Sequence, residues 1–499
     1  MPLFLSKDRE KKRDFGGNEM TREKQNALAF IDEKAELVCS VADRVWEYAE
    51  LSLQEERSAA LYRETLEREG FAVERGVCGI PTAFAASYGS GAPRIGILAE
   101  YDALSGLSQK GGATAHEPLQ EGGTGHGCGH NLLGAGAFAA ALGVKRWLQE
   151  TGQSGTVVLY GCPGEEGGAA KAFMARDGLW KSLDAALTWH PSDCNEVVTG
   201  TCNSTIQVQY TFHGVASHAA GEPEMGRSAL DAVELMNVGV QFLREHMPSR
   251  ARIHYAITDA GGRSANVVQP HARVLYMVRS NRVSEALALQ ARVDRIADGA
   301  ALMTETSYER KFIDGTADTV TNRTLEDVVY RNFEALGVPR YTEDELAFAA
   351  ALHATYGSGE NAPGVGSDAD ADYAKLAQGM RKACGHAMND FLLPRFTGVA
   401  FNPGSTDVGD VSWLTPTVQA HVAAFPNGCP GHSWQNVSCG ASSLGRKAAL
   451  HAGKLLCASV IDLFSDPALL AAAREEFDGR TAEGYVCPIP PDAVPTIAD

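Results

Sequence analysis

The stretch TVVLYGCPGEEGG, residues 156–168, fixes the reading of the whole chain. Its first half, Thr156-Val-Val-Leu-Tyr, is a short continuous apolar run, as expected of a strand buried on both faces. Its second half turns through Gly161-Cys-Pro-Gly and presents two adjacent carboxylates, Glu165 and Glu166, just past the strand end. On either side, Ile95-Gly-Ile-Leu-Ala and Ala185-Ala-Leu-Thr-Trp repeat the apolar run and also end in polar residues. A small-residue helix is predicted between the first two strands, from about Asn131 to Leu148. Strand, crossover helix, strand is the rhythm of an α/β fold, here a mixed, mainly parallel sheet flanked by helices.

Upstream, apolar residues at helical spacing from about Arg22 to Glu69, closed by Gly70, predict two opening helices behind a charged, frayed N-terminus. Downstream the pattern changes near residue 203. Ile206-Gln-Val-Gln-Tyr-Thr-Phe-His alternates strictly, as a half-exposed antiparallel strand does. A helix from Arg227 to His246 follows, then strands near Arg252–Thr258 and Ala272–Ser280, a helix near Ser284–Ala301 and a strand near Thr304–Ile313. That order, β-α-β-β-α-β, is ferredoxin-like. It reads as an α+β domain, residues 203–316, inserted into a catalytic domain made of residues 22–202 and 317–490. The second part is expected to hold helices near Leu325–Leu336 and Asp344–Tyr356, a loop-rich stretch from Gly357 to about Pro394, and a closing helix from Ser443 to Phe464. The tail Pro488-Ile-Pro-Pro is expected to run extended and pack on the surface.

Composition excludes several classes. With 499 residues, 44% hydrophobic and 21% charged, the chain can build a sizeable core of two or three domains. Its 44 basic against 62 acidic residues give −18, and no Lys/Arg stripe is present to contact a phosphate backbone, so no nucleic-acid partner is expected. No membrane association is expected either, since no continuous apolar run reaches the ~18 residues of a span. Met1–Gly17 lacks the apolar core of a signal peptide. Eleven cysteines without framework spacing suit a reducing compartment, so the expected location is cytoplasmic.

Ligand-type side chains fall just past the predicted strand ends: Asp102, Glu165, Glu166 and His190. Open α/β sheets bind ligands at that edge. Cys128 and His130, in the glycine-dense Gly125-His-Gly-Cys-Gly-His, and His432 in Pro-Gly-His-Ser-Trp complete a set of N, S and O donors that zinc, manganese or cobalt accepts. Each has a plainer reading taken singly: Cys128 as a small hydrophobe, Glu165 and Glu166 as a solvated pair, His190 as a core histidine. Independent decoys would not all land on one sheet edge. Cys384-Gly-His386 shows how easily the C-x-H string recurs, and Asp368-Ala-Asp-Ala-Asp372 reads as a solvated loop, because Tyr373 replaces the glycine a calcium loop needs.

Gly125-His-Gly-Cys-Gly-His-Asn, Gly164-Glu-Glu-Gly, Thr188-Trp-His-Pro and His213-Gly-Val-Ala-Ser-His resemble the aminoacylase and carboxypeptidase G clan of dinuclear-metal amidohydrolases, in its Cys-containing branch of auxin-conjugate and hippurate hydrolases. Glu100-Tyr-Asp-Ala-Leu-Ser-Gly-Leu-Ser, Gly404-Ser-Thr-Asp-Val-Gly-Asp-Val-Ser-Trp and Cys487-Pro-Ile-Pro are similar to the members that cleave p-aminobenzoyl-glutamate. The likeness runs from about residue 27 to about residue 490. It implies two divalent ions, Zn or Mn, held by Cys128, His130, Glu166, His190 and His432, with Glu165 as general base and Asp102 orienting a histidine ligand. It also implies a small-molecule N-acyl amino acid as substrate, bound through Asn266 and Arg279. His218 would reach the neighbouring active site of a homodimer, or of a heterodimer with a homologous subunit. Asn131 stands where many of the clan carry Asp, and residues 357–394 match no motif.

Without the resemblance, His218 could cap a turn, Asn266 serve a bend and Arg279 end an exposed strand. Two other functions stay open at this level: the same chemistry on an indole-acetyl or benzoyl amino acid, a dipeptide or a xenobiotic amide, and a non-catalytic partner subunit of a related hydrolase. The retained Glu165 and full ligand set speak against the second.

Overall fold

A computed structural model describes residues 20–357, 363–364, 371–398 and 400–498. The charged N-terminus and Asp368-Ala-Asp370 lie outside these described residues. The buried apolar runs form the middle of a seven-stranded sheet. Gly155–Gly161, Arg94–Ala99, Ala185–Ser192 and Thr417–Ala423 lie side by side and parallel. Antiparallel strands close both sides: Phe84–Ser90 and then Ala72–Arg75 beyond Gly155–Gly161, and the short Glu196–Val197 beyond Thr417–Ala423. Because the central four run the same way, their carboxyl ends share one edge, and the site is built there.

The crossover helix, His130–Thr151, is lined with Gly and Ala and lies wholly within the core except near its end. The closing helix, Ser443–Ser465, packs along it. A Cβ at Gly453 would sit 2.6 Å from Ala139 Cβ and 3.0 Å from Gly136 O, so this crossing requires glycine. By length and composition this closing helix could cross a membrane, although no uninterrupted apolar run of that size occurs. Most of it, 72% of the apolar window, is instead buried, and Lys454 reaches out of it to an ion pair with Asp32 at 2.6 Å.

The second sheet is antiparallel, in the order Ser307–Thr316, Ser204–His213, His271–Ser280, Arg252–Asp259. With helices Ala229–Leu243 and Val283–Thr304 it forms the inserted ferredoxin-like α+β unit. Strict alternation along His271–Ser280 puts Ala272, Val274, Tyr276 and Val278 into a core shared with both helices.

Three local expectations are corrected. The opening segment is three helices, Arg22–Glu33, Ala35–Tyr48 and Glu56–Arg68, because Lys34 leaves helical geometry for one residue and Ala49 turns left-handed. Apolar spacing averages over such breaks. The stretch expected to be loops contains a helix, Ala371–Cys384, of which only Ala377 is buried, too little to leave an apolar stripe. The tail packs deeper than on the surface alone: Ile489 is 3% exposed and joins the cluster of Leu98, Val158 and Trp180.

Candidate metal centre

Glu100 and Asp102 follow directly on Arg94–Ala99 and are buried. Glu165 and Glu166 follow Gly155–Gly161 through a turn in which Gly164 has φ +65°. His190 belongs to the end of Ala185–Ser192, and His130 is the first residue of the crossover helix. Gly129, between Cys128 and His130, has φ +78°, and a side chain there would press on Pro191 at 3.0 Å and Phe425 at 3.1 Å. This left-handed position turns the thiol of Cys128 and the ring of His130 into one space. His432, also at positive φ, enters from the loop before helix Trp434–Gly440.

The side chains converge. Cys128 Sγ lies 3.4 Å from His190 Nε2. His190 Nδ1 is 2.7 Å from Pro191 O and donates to it, which leaves the Nε2 lone pair facing the thiol. His432 Nε2 is 3.4 Å from Glu166 Oε2, and His130 Nε2 is 3.9 Å from Glu165 Oε2. Asp102 locks the arrangement from behind. Its Oδ1 accepts from His130 Nδ1 at 2.8 Å, and its Oδ2 accepts from Ser52 Oγ at 2.7 Å and from Glu166 N at 2.9 Å. Burial would raise the Asp102 carboxyl, but the His130 charge and these hydrogen bonds outweigh it and hold it at about 2.

These residues suit a cation by their own chemistry. Cys128, His130 and His190 form one ligand-competent group, and Cys128, Glu166 and His432 a second; the thiol belongs to both. His130 Nε2 and Glu166 Oε1 are buried with no hydrogen-bond partner, an expensive state that ligation relieves. Burial, and then Glu166, pushes the Cys128 thiol up, so a thiolate there needs a positive neighbour. Burial, and then His130, pushes His190 down to about 4, which keeps it neutral and able to ligate. Burial also raises Glu165 well above the usual carboxylate range, aided by Glu100, Glu166 and Asp407.

Cys128, Glu165, Glu166, His190, His432 and Arg279 all line one cavity of about 490 Å³, while Asp102 and His130 stand behind its wall. Arg279 comes from the second sheet and donates from Nη1 to Ser405 Oγ at 3.0 Å. His218 and Asn266 do not join them within the chain. Both are exposed and adjacent, with Ala219 N donating to Asn266 O at 2.9 Å, and His218 Nδ1 accepts from Ala220 N and Gly221 N. Cys384 and His386 gather with Asp390 in a separate group that does not line the cavity.

Four contributors were missed. Glu100 Oε2 is 3.3 Å from His130 Nε2, and its Oε1 is 2.7 Å from Lys171 Nζ, which also pairs with Asp407 at 2.6 Å. The strand-end rule that picks out Asp102 would have found Glu100, two residues earlier. His421, opposite His190 in the parallel register, would have followed from recognising Thr417–Ala423 as a strand. Nothing local marks Lys171; Asp407 lies within the Gly404–Trp413 motif, but no strand end or neighbouring donor singles it out there.

A mainly parallel core sheet with an inserted ferredoxin-like unit, and a thiol, imidazole and carboxylate cluster at its carboxyl edge, defines a metal-dependent amidohydrolase acting on linear amides. The chain belongs to peptidase family M20/M25/M40, which it matches over residues 96–399. It is 42% identical over 486 residues to one of the subunits of p-aminobenzoyl-glutamate hydrolase from Escherichia coli (strain K12), covering 95% of this chain and 99% of the relative. It is 26% identical to the Xaa-Arg dipeptidase of Mus musculus, over 92% of this chain and 93% of that one. An aminobenzoyl-glutamate utilization protein from Klebsiella pneumoniae shares the fold, with a TM-score of 0.53 at 16% identity over 84% of this chain and 97% of that one.

Proposed function

We propose that the chain hydrolyses the amide bond of an N-acyl amino acid with an aromatic acyl group, p-aminobenzoyl-glutamate first among them. The carrying observation is that Glu165 and Arg279 face one cavity from different sheets, a proton carrier on one wall and a carboxylate-binding fork on the other. Cys128, His130, Glu166, His190 and His432 would hold two divalent ions, zinc or manganese, with Cys128 common to both ligand groups. Such ions, when bound, polarise an amide carbonyl and acidify water.

The remaining work falls to the chain's own residues. Glu165 takes the proton of the attacking water and delivers it to the departing nitrogen, and its desolvated, half-buried setting suits a carboxyl that must both accept and give. Asp102 fixes His130 in the tautomer with Nε2 bare. Arg279 pairs with the α-carboxylate of the leaving amino acid. His218 and Asn266, exposed and adjacent, serve the cavity of a neighbouring subunit, either a second copy or a homologue. The E. coli relative, itself named as a subunit, supports such a pairing. Since all eleven cysteines are free thiols, a reducing, cytoplasmic setting fits.

The test is product release by chelator-stripped protein with manganese or zinc added back. p-Aminobenzoyl-glutamate is assayed beside benzoyl and indole-acetyl amino acids and an Xaa-Arg dipeptide. Metal-restored cleavage of the first supports the reading. Cleavage of another conjugate alone moves the substrate, and silence until a homologous subunit is added makes this chain a partner rather than a self-sufficient enzyme.

A further inference from the structure

A second cavity of about 540 Å³ adjoins the first and shares Arg279 and Gly404 with it. Its other lining residues include Arg250, Arg252, His254 and Asn203. The strand register explains how the cations meet. Arg279 lies directly opposite Arg252, and Met277 opposite His254, in the antiparallel pair of His271–Ser280 with Arg252–Asp259. Alternation therefore places Arg252, His254 and Arg279 on one face, while Val278 and Ile253 enter the core on the other.

Like charges directly opposite across a strand pair are destabilising. This chain, at −18 overall, has carboxylates in surplus, yet Arg252, His254 and Arg279 form no ion pair with any described carboxylate. Arg252 Nη1 is instead tied to the carbonyls of Ser249 and Ala251 at 2.8 Å each. Burial, and then Arg279, Arg244 and Arg252, lowers the His254 pKa, a further sign of concentrated positive charge. Asn203 is 3% exposed, and its Nδ2 donates to Pro403 O at 2.7 Å, which fixes the amide's orientation and leaves Oδ1 with no partner. That oxygen would accept an N–H.

We propose that this cavity is a subsite for a further carboxylate on the side chain of the leaving amino acid, bound by Arg252 and His254 next to the α-carboxylate on Arg279. The proposal rests on the reading that the adjoining cavity cleaves an N-acyl amino acid, and it makes the enzyme selective for acidic leaving residues. The carboxylate has two possible sources: the side chain of a single glutamate, or a second glutamate joined to it through a γ-amide. The γ-amide N–H would satisfy Asn203 Oδ1. A cationic leaving residue would be repelled.

Wild type, Arg252→Gln and His254→Gln are compared on p-aminobenzoyl-glutamate, its glutamine analogue and its γ-glutamyl-extended form, with calorimetric binding of glutarate and butyrate measured beside. Wild type is expected to favour glutamate over glutamine by tenfold or more in kcat/KM, and each substitution to cut that ratio by about tenfold to a hundredfold, mainly through KM, as loss of a charge-assisted hydrogen bond does. A best rate on the extended form assigns the subsite to the γ-linked residue; a best rate on the plain conjugate assigns it to the single side chain. Equal rates on glutamate and glutamine, or a ratio the substitutions leave unmoved, overturn the proposal. If no conjugate is cleaved, tighter binding of glutarate than butyrate, lost in Arg252→Gln, still supports the subsite while removing the hydrolase reading. Equal binding of the two acids removes the subsite as well.

Discussion

Lys171 Nζ and Glu100 Oε1 lie 2.7 Å apart, both buried, and the other oxygen of Glu100 is 3.3 Å from Nε2 of His130. Burial would strip the proton from Lys171, but Asp407 and Glu100 outweigh it and keep the ammonium charged. One cation thus pairs with two buried carboxylates at once, and Glu100 is held against the histidine it touches. Lys171→Met is expected to destabilise the fold by about 3–5 kcal/mol, because it leaves those carboxylates unpaired. Urea denaturation with the metal removed checks this, and a change under 1 kcal/mol, well below the ~3–5 expected, would mean the pairs contribute little net stability.

Glu165 is the group assigned the proton transfer. Glu165→Ala is expected to lower kcat by about 10²–10⁴-fold with little change in KM, since a general base acts in the transition state and not in binding. Steady-state kinetics with the metal restored measures it. A loss below about tenfold would remove Glu165 as the base.

Asp102 is expected to act through His130. Asp102→Asn leaves a hydrogen bond possible but loses the charge that fixes the imidazole tautomer, and such outer partners typically cost about 10–100-fold in metal affinity. Competition with a chelating dye reads the affinity directly. If zinc and manganese bind as tightly as in wild type, Asp102 serves the Ser52 and Glu166 contacts instead.

How far the site could be read in advance follows from where its signals lie along the chain. Cys128, His130, Glu165, Glu166 and His190 were legible because each sits at a strand end or helix start marked by its own neighbours. The Lys171–Asp407 pair joins residues 236 positions apart, and no local pattern encodes it. The strand Thr417–Ala423 escaped notice because Gln419 and His421 interrupt its apolar run, although it is the one that brings His421 opposite His190. The inserted unit was legible in element order because its strands alternate. What alternation could not show is that Arg252 and Arg279 share one register position, since pairing depends on how the turn between the strands closes.

Asp410 gives a pH prediction remote from the ligand cluster. Burial raises its carboxyl to about 7, against hydrogen bonds donated by Tyr485 Oη at 2.6 Å and Ala317 N at 2.9 Å. In the unfolded chain an aspartate titrates near ~3.9. Between those values the folded state binds more protons than the unfolded one, so the Asp410 contribution is full below about pH 4 and is lost as pH rises through about 7. Asp410→Asn removes the ionisation yet keeps both contacts, with Oδ1 accepting from Ala317 N and Nδ2 donating to Tyr485 Oη. The variant should match wild type near pH 4 and gain on it as pH rises, exceeding it near pH 8 by at least about 1 kcal/mol, a gap that corresponds to less than one unit of differential pKa. Urea midpoints at the two pH values give the comparison. Parallel curves, with no gap opening toward pH 8, would show that Asp410 folds with its charge already compensated.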